Sequence, residues 1–160
     1  MEDIMYLDQL LRSSKYGKGS ELHAKYLGRY TDSVNFVRVK ALIESGRYPT
    51  FANYGIMSSR YNIVLMHIGD HDEQEWQYLF SFLKQQVLKG DITTKEVVTI
   101  VNRHFISGKT PCNYYGSSRH NAYPICDCNN VDAVRLEVGL DSMINEYRRV
   151  GKPIPDCYGK

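Results

Sequence analysis

The sequence predicts a mainly α, single-domain protein spanning residues 1–160: an irregular bundle of six to seven helices crossed by one long Cys- and His-bearing loop. Three observations carry that prediction. Trp76, Leu79, Phe80, Leu83 and Val87 fall at i, i+3, i+4, i+7 and i+11, the spacing of one helical face. The breaks between apolar stretches pair a Gly suited to follow a helix with an Asp or Thr suited to begin the next, at Gly69 with Asp70 and Asp72 and at Gly90 with Asp91 or Thr93. A chain of 160 residues, 42% hydrophobic and 24% charged, is also long enough and apolar enough to bury one core.

In chain order, Asp3 to Ser13 reads as a first helix, with Ile4, Leu7, Leu10 and Leu11 on one face. Ser20 begins a second, whose Leu22, Tyr26, Leu27 and Tyr30 face inward. The N-cap cluster Thr31-Asp32-Ser33 begins a third, with Phe36, Val39, Leu42 and Ile43 inside and a stop at Ser45-Gly46. Arg47 to Met57, holding Pro49 and Gly55, is a loop. Arg60 to Ile68 is short enough for either a helix or a buried strand; helix is preferred, and the alternative is an α+β fold with Tyr61–Ile68 as the strand. Two helices follow, one from about Asp70 to Gly90 and one from there to Gly108. Residues 108–130 form a long irregular loop and 151–160 an extended tail with two prolines. Between them Val131 to Val150 reads as a last helix, in which Leu136, Leu140, Met143, Tyr147 and Val150 repeat at 4-3-4-3 spacing. That stripe suits closure of the bundle or a homodimer. Gly139, about 1 kcal/mol worse than Ala inside a helix, marks where it would break.

These patterns identify an architecture rather than an activity. A net charge of +2 implies no strongly charged partner for the chain as a whole. There is no run of 18 apolar residues, and Met1-Glu2-Asp3 lacks the layout of a signal peptide. A cytoplasmic or nuclear protein without a membrane partner is therefore expected.

The long loop holds the residues best suited to chemistry. His104, Cys112, His120, Cys126 and Cys128 include enough thiolate and imidazole ligands for one tetrahedral zinc, the one cofactor the sequence suggests. The spacing argues against it, since Cys126-Asp127-Cys128 is tighter than the usual C-x2-4-C knuckle and has no matching pair. Reduced cysteines packed as small apolar residues are the preferred reading, zinc the second and a disulfide the third. A Cys nucleophile with a His base would make the chain an enzyme, but no local turn or orienting residue supports one, so the enzyme question leans to no. His67 and His71 flank Gly69-Asp70 and read as polar turn residues. Gly17-Lys18-Gly19-Ser20 lacks the full phosphate-loop pattern.

Charge distribution gives the preferred function. From Arg12 to Lys40 the chain carries seven basic residues against two acidic ones, whereas 61–107 carries four against six. Lys25 and Arg29 are one helical turn apart, and Tyr16, Tyr26 and Tyr30 are interleaved with the basic residues. Such a face contacts phosphates through Lys15, Lys18, Lys25, Arg29, Arg38 and Lys40, with aromatics available to stack on bases. The expectation is a small non-enzymatic regulatory protein that binds an acidic partner, foremost RNA or DNA. The alternative is a protein-interaction or inhibitor module acting through Tyr-rich loops, with Tyr48, Tyr54, Tyr114, Tyr115 and Tyr123 as contact residues.

Overall fold

The computed structural model describes residues 1–6, 21–68 and 72–158, apart from the side chains of 21–28. Among the described residues the chain is mainly helical, with seven α-helices and no strand. It divides into two compact units, residues 1–81 and 82–160.

The first unit contains the helical residues 2–6, the long helix α1 (Glu21–Glu44), the single turn α2 (Phe51–Tyr54), α3 (Ser58–Ile68) and the start of α4 (Glu73–Lys89). Helix α1 runs unbroken through Thr31-Asp32-Ser33, where the sequence predicts a stop and a new start. A cap residue caps only if the backbone leaves the helix, and none of these three costs much more than about 0.7 kcal/mol in a helix interior. Burial of Asp32, Asn35, Phe36 and Val39 along one side favours continuing. The helix ends as predicted at Gly46, whose φ of 67° lets the amides of Arg47 and Tyr48 turn back onto the Leu42 carbonyl at 2.8 and 3.0 Å.

Residues 58–68 are helical, which settles them against the strand alternative. Tyr61, Val64, Leu65 and Ile68 are buried at helical spacing. Asp72 then caps α4, its Oδ1 accepting from the amides of Gln74 and Glu75 at 2.8 and 3.0 Å. Trp76 and Leu79 of α4 are buried.

The second unit contains the rest of α4, α5 (Thr94–Ser107), α6 (Val131–Leu136) and α7 (Met143–Arg149). Thr93 and Glu96 form a reciprocal capping box at the start of α5, which buries Val97, Ile100 and Val101. The predicted last helix is two helices. At Gly139, φ is 72°, and the chain reverses before Ser142 caps α7. The 4-3-4-3 stripe is therefore divided: Met143 and Tyr147 are buried with Val131, whereas Leu136 and Val150 face solvent. The expected homodimer stripe does not exist as one surface.

Residues 108–130 are irregular but not slack. Asn113 pairs with Ile125 in an isolated bridge, and a 3-10 turn covers Ser118–His120. All four cysteines are oxidised, as Cys112–Cys126 and Cys128–Cys157, with Cα separations of 5.0 and 5.9 Å. The second bridge holds the C-terminal tail, whose Ile154 and Tyr158 pack on Val131, Met143 and Tyr147.

Candidate functional site

The structure separates the residues that the sequence groups into a basic face. Lys15 and Lys18 lie outside the described residues, as does the side chain of Lys25. Arg29 and Arg38 are exposed on α1. At 100° per residue, however, Arg29 and Lys40 point within about 20° of each other and Arg38 points to the opposite side. Lys40 also has local partners: its Nζ lies 3.8 Å from Glu44 and 5.1 Å over the ring of Tyr78. Between the two basic flanks runs an apolar strip. Tyr30 is 70% exposed and Val37 66%, with Val34 beside them. Tyr30, predicted to face inward, faces solvent.

A more concentrated apolar surface lies in the loop between α1 and α3. Phe51, Tyr54, Ile56 and Met57 are 42–80% exposed, with Ile56 the most exposed. The segment is firmly held from beneath. Tyr48 and Pro49 are buried, and the Tyr48 hydroxyl donates to Asn62 Oδ1 on α3 at 3.1 Å. Asn53 accepts from the Thr50 amide at 2.6 Å and donates to the Tyr48 carbonyl at 3.1 Å. Gly55, at φ 57°, turns the chain from α2 into a 3-10 turn at Gly55–Met57, and Ser59 Oγ closes onto the Ile56 carbonyl at 2.9 Å. The apolar side chains are thus presented by ordered backbone. Arg47 and Arg60 bound the segment, with no acidic residue between them.

Next to it is a cavity of about 290 Å³ lined by Leu42, Arg47, Pro49, Tyr54 and Tyr61, with Met1 and Glu2 completing the wall. The Tyr54 and Tyr61 rings meet edge to face at 6.1 Å. Arg47 Nε donates to Ser45 Oγ at 3.1 Å.

Of the five tyrosines predicted as contact residues, Tyr54 and Tyr123 are exposed and Tyr114 is half-buried. Tyr48 and Tyr115 are core residues and offer no surface, which corrects their assignment. Tyr114 stacks on Phe105 at 4.5 Å. The sequence reading missed Phe51, Ile56 and Met57. Their signal is a run of large apolar residues around Pro49 and Gly55 that follows neither a helical nor a strand period.

The candidate zinc set is likewise corrected. Cys112, Cys126 and Cys128 are committed to disulfides, which leaves His104 and His120 without the thiolates that would complete a tetrahedron. Among the described residues no three His, Cys, Asp or Glu side chains gather in a group that could hold a metal. The same bridges leave no thiol to act as a nucleophile.

What the loop surrounds is a buried guanidinium. Arg135, 1% exposed, donates from Nη1 to the Tyr115 carbonyl at 2.7 Å, from Nη2 to Glu146 Oε2 at 2.7 Å, and from Nε to the Asp141 carbonyl at 2.5 Å. Glu146 Oε1 accepts from the Ser118 amide at 2.8 Å, and Lys152 Nζ donates to the Ser118 carbonyl at 2.6 Å. Burial pushes the Glu146 carboxyl up, but the hydrogen bonds from Arg135 and Ser118 and the Arg135 charge outweigh it, so the group lies below its ordinary value. The charged groups of Arg135, Glu146 and Lys152 each have structural partners, so the cluster reads as a framework holding loop, α6 and α7 together.

Comparison with protein families, with characterised proteins and with solved structures finds no match.

Proposed function

We propose that the protein is a non-enzymatic binding module that takes a protein partner on the Phe51–Met57 surface of its first unit. One observation carries this reading: four large apolar side chains, 42–80% exposed, stand within seven residues on a segment that hydrogen bonds hold in place. Soluble proteins seldom leave such a cluster uncovered unless something binds it, and an ordered segment loses little entropy on binding. Aromatic and Met side chains bounded by Arg also match the composition of interface cores.

RNA or DNA binding is the second reading, favoured by the exposure of Tyr30 next to Arg29 on α1. It is weaker because Arg38 points away from Arg29 and because Val34 and Val37 lie between the two basic flanks. Two disulfides and no remaining thiol support maturation in an oxidising compartment over the cytoplasm or nucleus.

The test is selection of a displayed random-peptide library on the whole, disulfide-intact chain. A consensus that is lost with Ile56→Asp or Tyr54→Ala and kept with Arg29→Glu supports the protein-partner reading. Failure to enrich any consensus, or equal enrichment by Ile56→Asp, rejects it. Salt-sensitive capture of a labelled random oligonucleotide, lost with Arg29→Glu, would establish the second reading instead.

A further inference from the structure

We infer that the cavity between Leu42 and Tyr61 is an anchor site for the C-terminal residue of a partner peptide, one with an apolar side chain. This rests on the protein-partner reading and specifies what the partner presents.

Size and chemistry both narrow the occupant. About 290 Å³ lies just below the range of pockets that enclose drug-sized molecules, so the cavity suits one residue rather than a cofactor or a helix. Its walls divide by type. Leu42, Pro49 and the rings of Tyr54 and Tyr61 form an apolar and aromatic lining that accepts a branched aliphatic or aromatic side chain. Arg47 supplies a cation. Among the described residues its Nε donates to Ser45 Oγ and its two terminal nitrogens have no hydrogen-bond partner, so they can form a two-pronged contact with a carboxylate. Glu2, also in the lining, supplies an acceptor. A terminal residue carries all three complementary groups at once: the side chain for the apolar lining, its own carboxylate for Arg47, and its peptide N–H for the Glu2 carboxylate. An internal acidic residue would bring its carboxylate on a flexible stem and leave the apolar lining unfilled. The exposed Phe51, Ile56 and Met57 lie on the same segment and offer contacts to the residues preceding the anchor.

The experiment uses the full chain, labelled with ¹⁵N, titrated with N-acetyl-L-phenylalanine and separately with its neutral amide. The acid carries the ring, the N–H and the terminal carboxylate; the amide keeps the first two but replaces the carboxylate by a neutral group with one acceptor oxygen instead of two. The acid is expected to bind saturably, with a Kd on the order of 1 mM for so small a fragment, and to shift the amides of Leu42, Arg47, Tyr54 and Tyr61. The amide should bind about three- to tenfold more weakly, the share expected of a charge-assisted contact at a partly solvated Arg. Arg47→Gln should bring acid and amide to the same affinity without altering the rest of the spectrum, and Tyr54→Ala should weaken both. Absence of saturable shifts at the cavity, or equal affinity of acid and amide for the unaltered chain, overturns the inference. That failure is distinct from failure of the protein-partner reading. If Ile56→Asp still abolishes a selected consensus while the fragment leaves the cavity untouched, the surface binds a partner and the anchor inference is wrong. If no consensus is ever enriched but the acid binds through Arg47, the cavity takes an apolar carboxylate, but the protein-partner reading falls and the anchor role falls with it.

Discussion

Replacing Arg135 with Lys keeps the charge and removes the fork. The guanidinium serves three acceptors at once: the Tyr115 and Asp141 carbonyls and the Glu146 carboxylate. An ammonium is a single point at the end of a flexible stem. If it stays with Glu146, both carbonyls lose their donor. An unsatisfied buried acceptor costs about 1–3 kcal/mol at the Tyr115 carbonyl and less at the part-buried Asp141 carbonyl, which water can reach, so the expected loss is about 2–4 kcal/mol. Against a total stability of about 5–15 kcal/mol, that is a large fraction. Urea unfolding of the disulfide-intact protein, with amide exchange at Ser118 and Tyr115 as a local readout, measures it. A loss below about 1 kcal/mol, or unchanged protection at those amides, would show that the fork does not hold the loop. The pH dependence follows from Glu146. Its folded pKa lies below its unfolded one, so its contribution is complete above the ordinary glutamate range and is lost as pH falls through the lowered folded value. Glu146→Gln should therefore be less stable than the native chain at neutral pH, and the gap should close in acid across that window.

Three further outcomes are expected. Gly116 has φ 58°, and a Cβ there would meet Met143 Sδ at 2.6 Å and Val131 Cγ2 at 3.0 Å; Gly139 has φ 72° but open space around it. Gly116→Ala should thus cost about 2–4 kcal/mol, from backbone strain plus overpacking, and Gly139→Ala only about 1–2 kcal/mol from the backbone; equal melting temperatures would refute the crowding argument. Opening the Cys128–Cys157 bridge with a Cys128→Ser, Cys157→Ser double change should cost about 3.5 kcal/mol for a loop of 29 residues and raise proteolysis of the tail, because Ile154 and Tyr158 then cover Val131, Met143 and Tyr147 without a tether; a tail that stays protease-resistant would show that packing alone holds it. Asn35 is fully buried, with neither side-chain polar atom hydrogen-bonded among the described residues, so Asn35→Leu should be neutral or stabilising by about 1 kcal/mol in thermal unfolding, and a loss above about 2 kcal/mol would reveal a partner for it.

Much of the architecture is legible in the sequence because helix signals are local. The i, i+3, i+4 apolar spacing, the Thr93–Glu96 capping box, Asp72 as a cap and Gly46, Gly90 and Gly139 as reversal points all act within about one turn of the residue concerned. The candidate surface was legible only in part. Tyr54 stands out as a loop aromatic, but its exposed neighbours Phe51, Ile56 and Met57 look like ordinary core residues by type, and nothing local distinguishes Tyr54 from the buried Tyr48.

The sequence by itself determined the fold class and most helix ends. Only the tertiary structure decided that α1 continues through Thr31-Asp32-Ser33, that Tyr30 faces out while Tyr115 faces in, and that Cys112 pairs with Cys126 and Cys128 with Cys157. It alone decided that Arg135, by type a surface residue, is the buried tie among the 108–130 loop, α6 and α7. Capping and periodicity are settled by the few residues of one turn. Burial and disulfide choice are settled by partners 11 to 29 positions away, such as Glu146 for Arg135 and Cys157 for Cys128, which no local pattern can name.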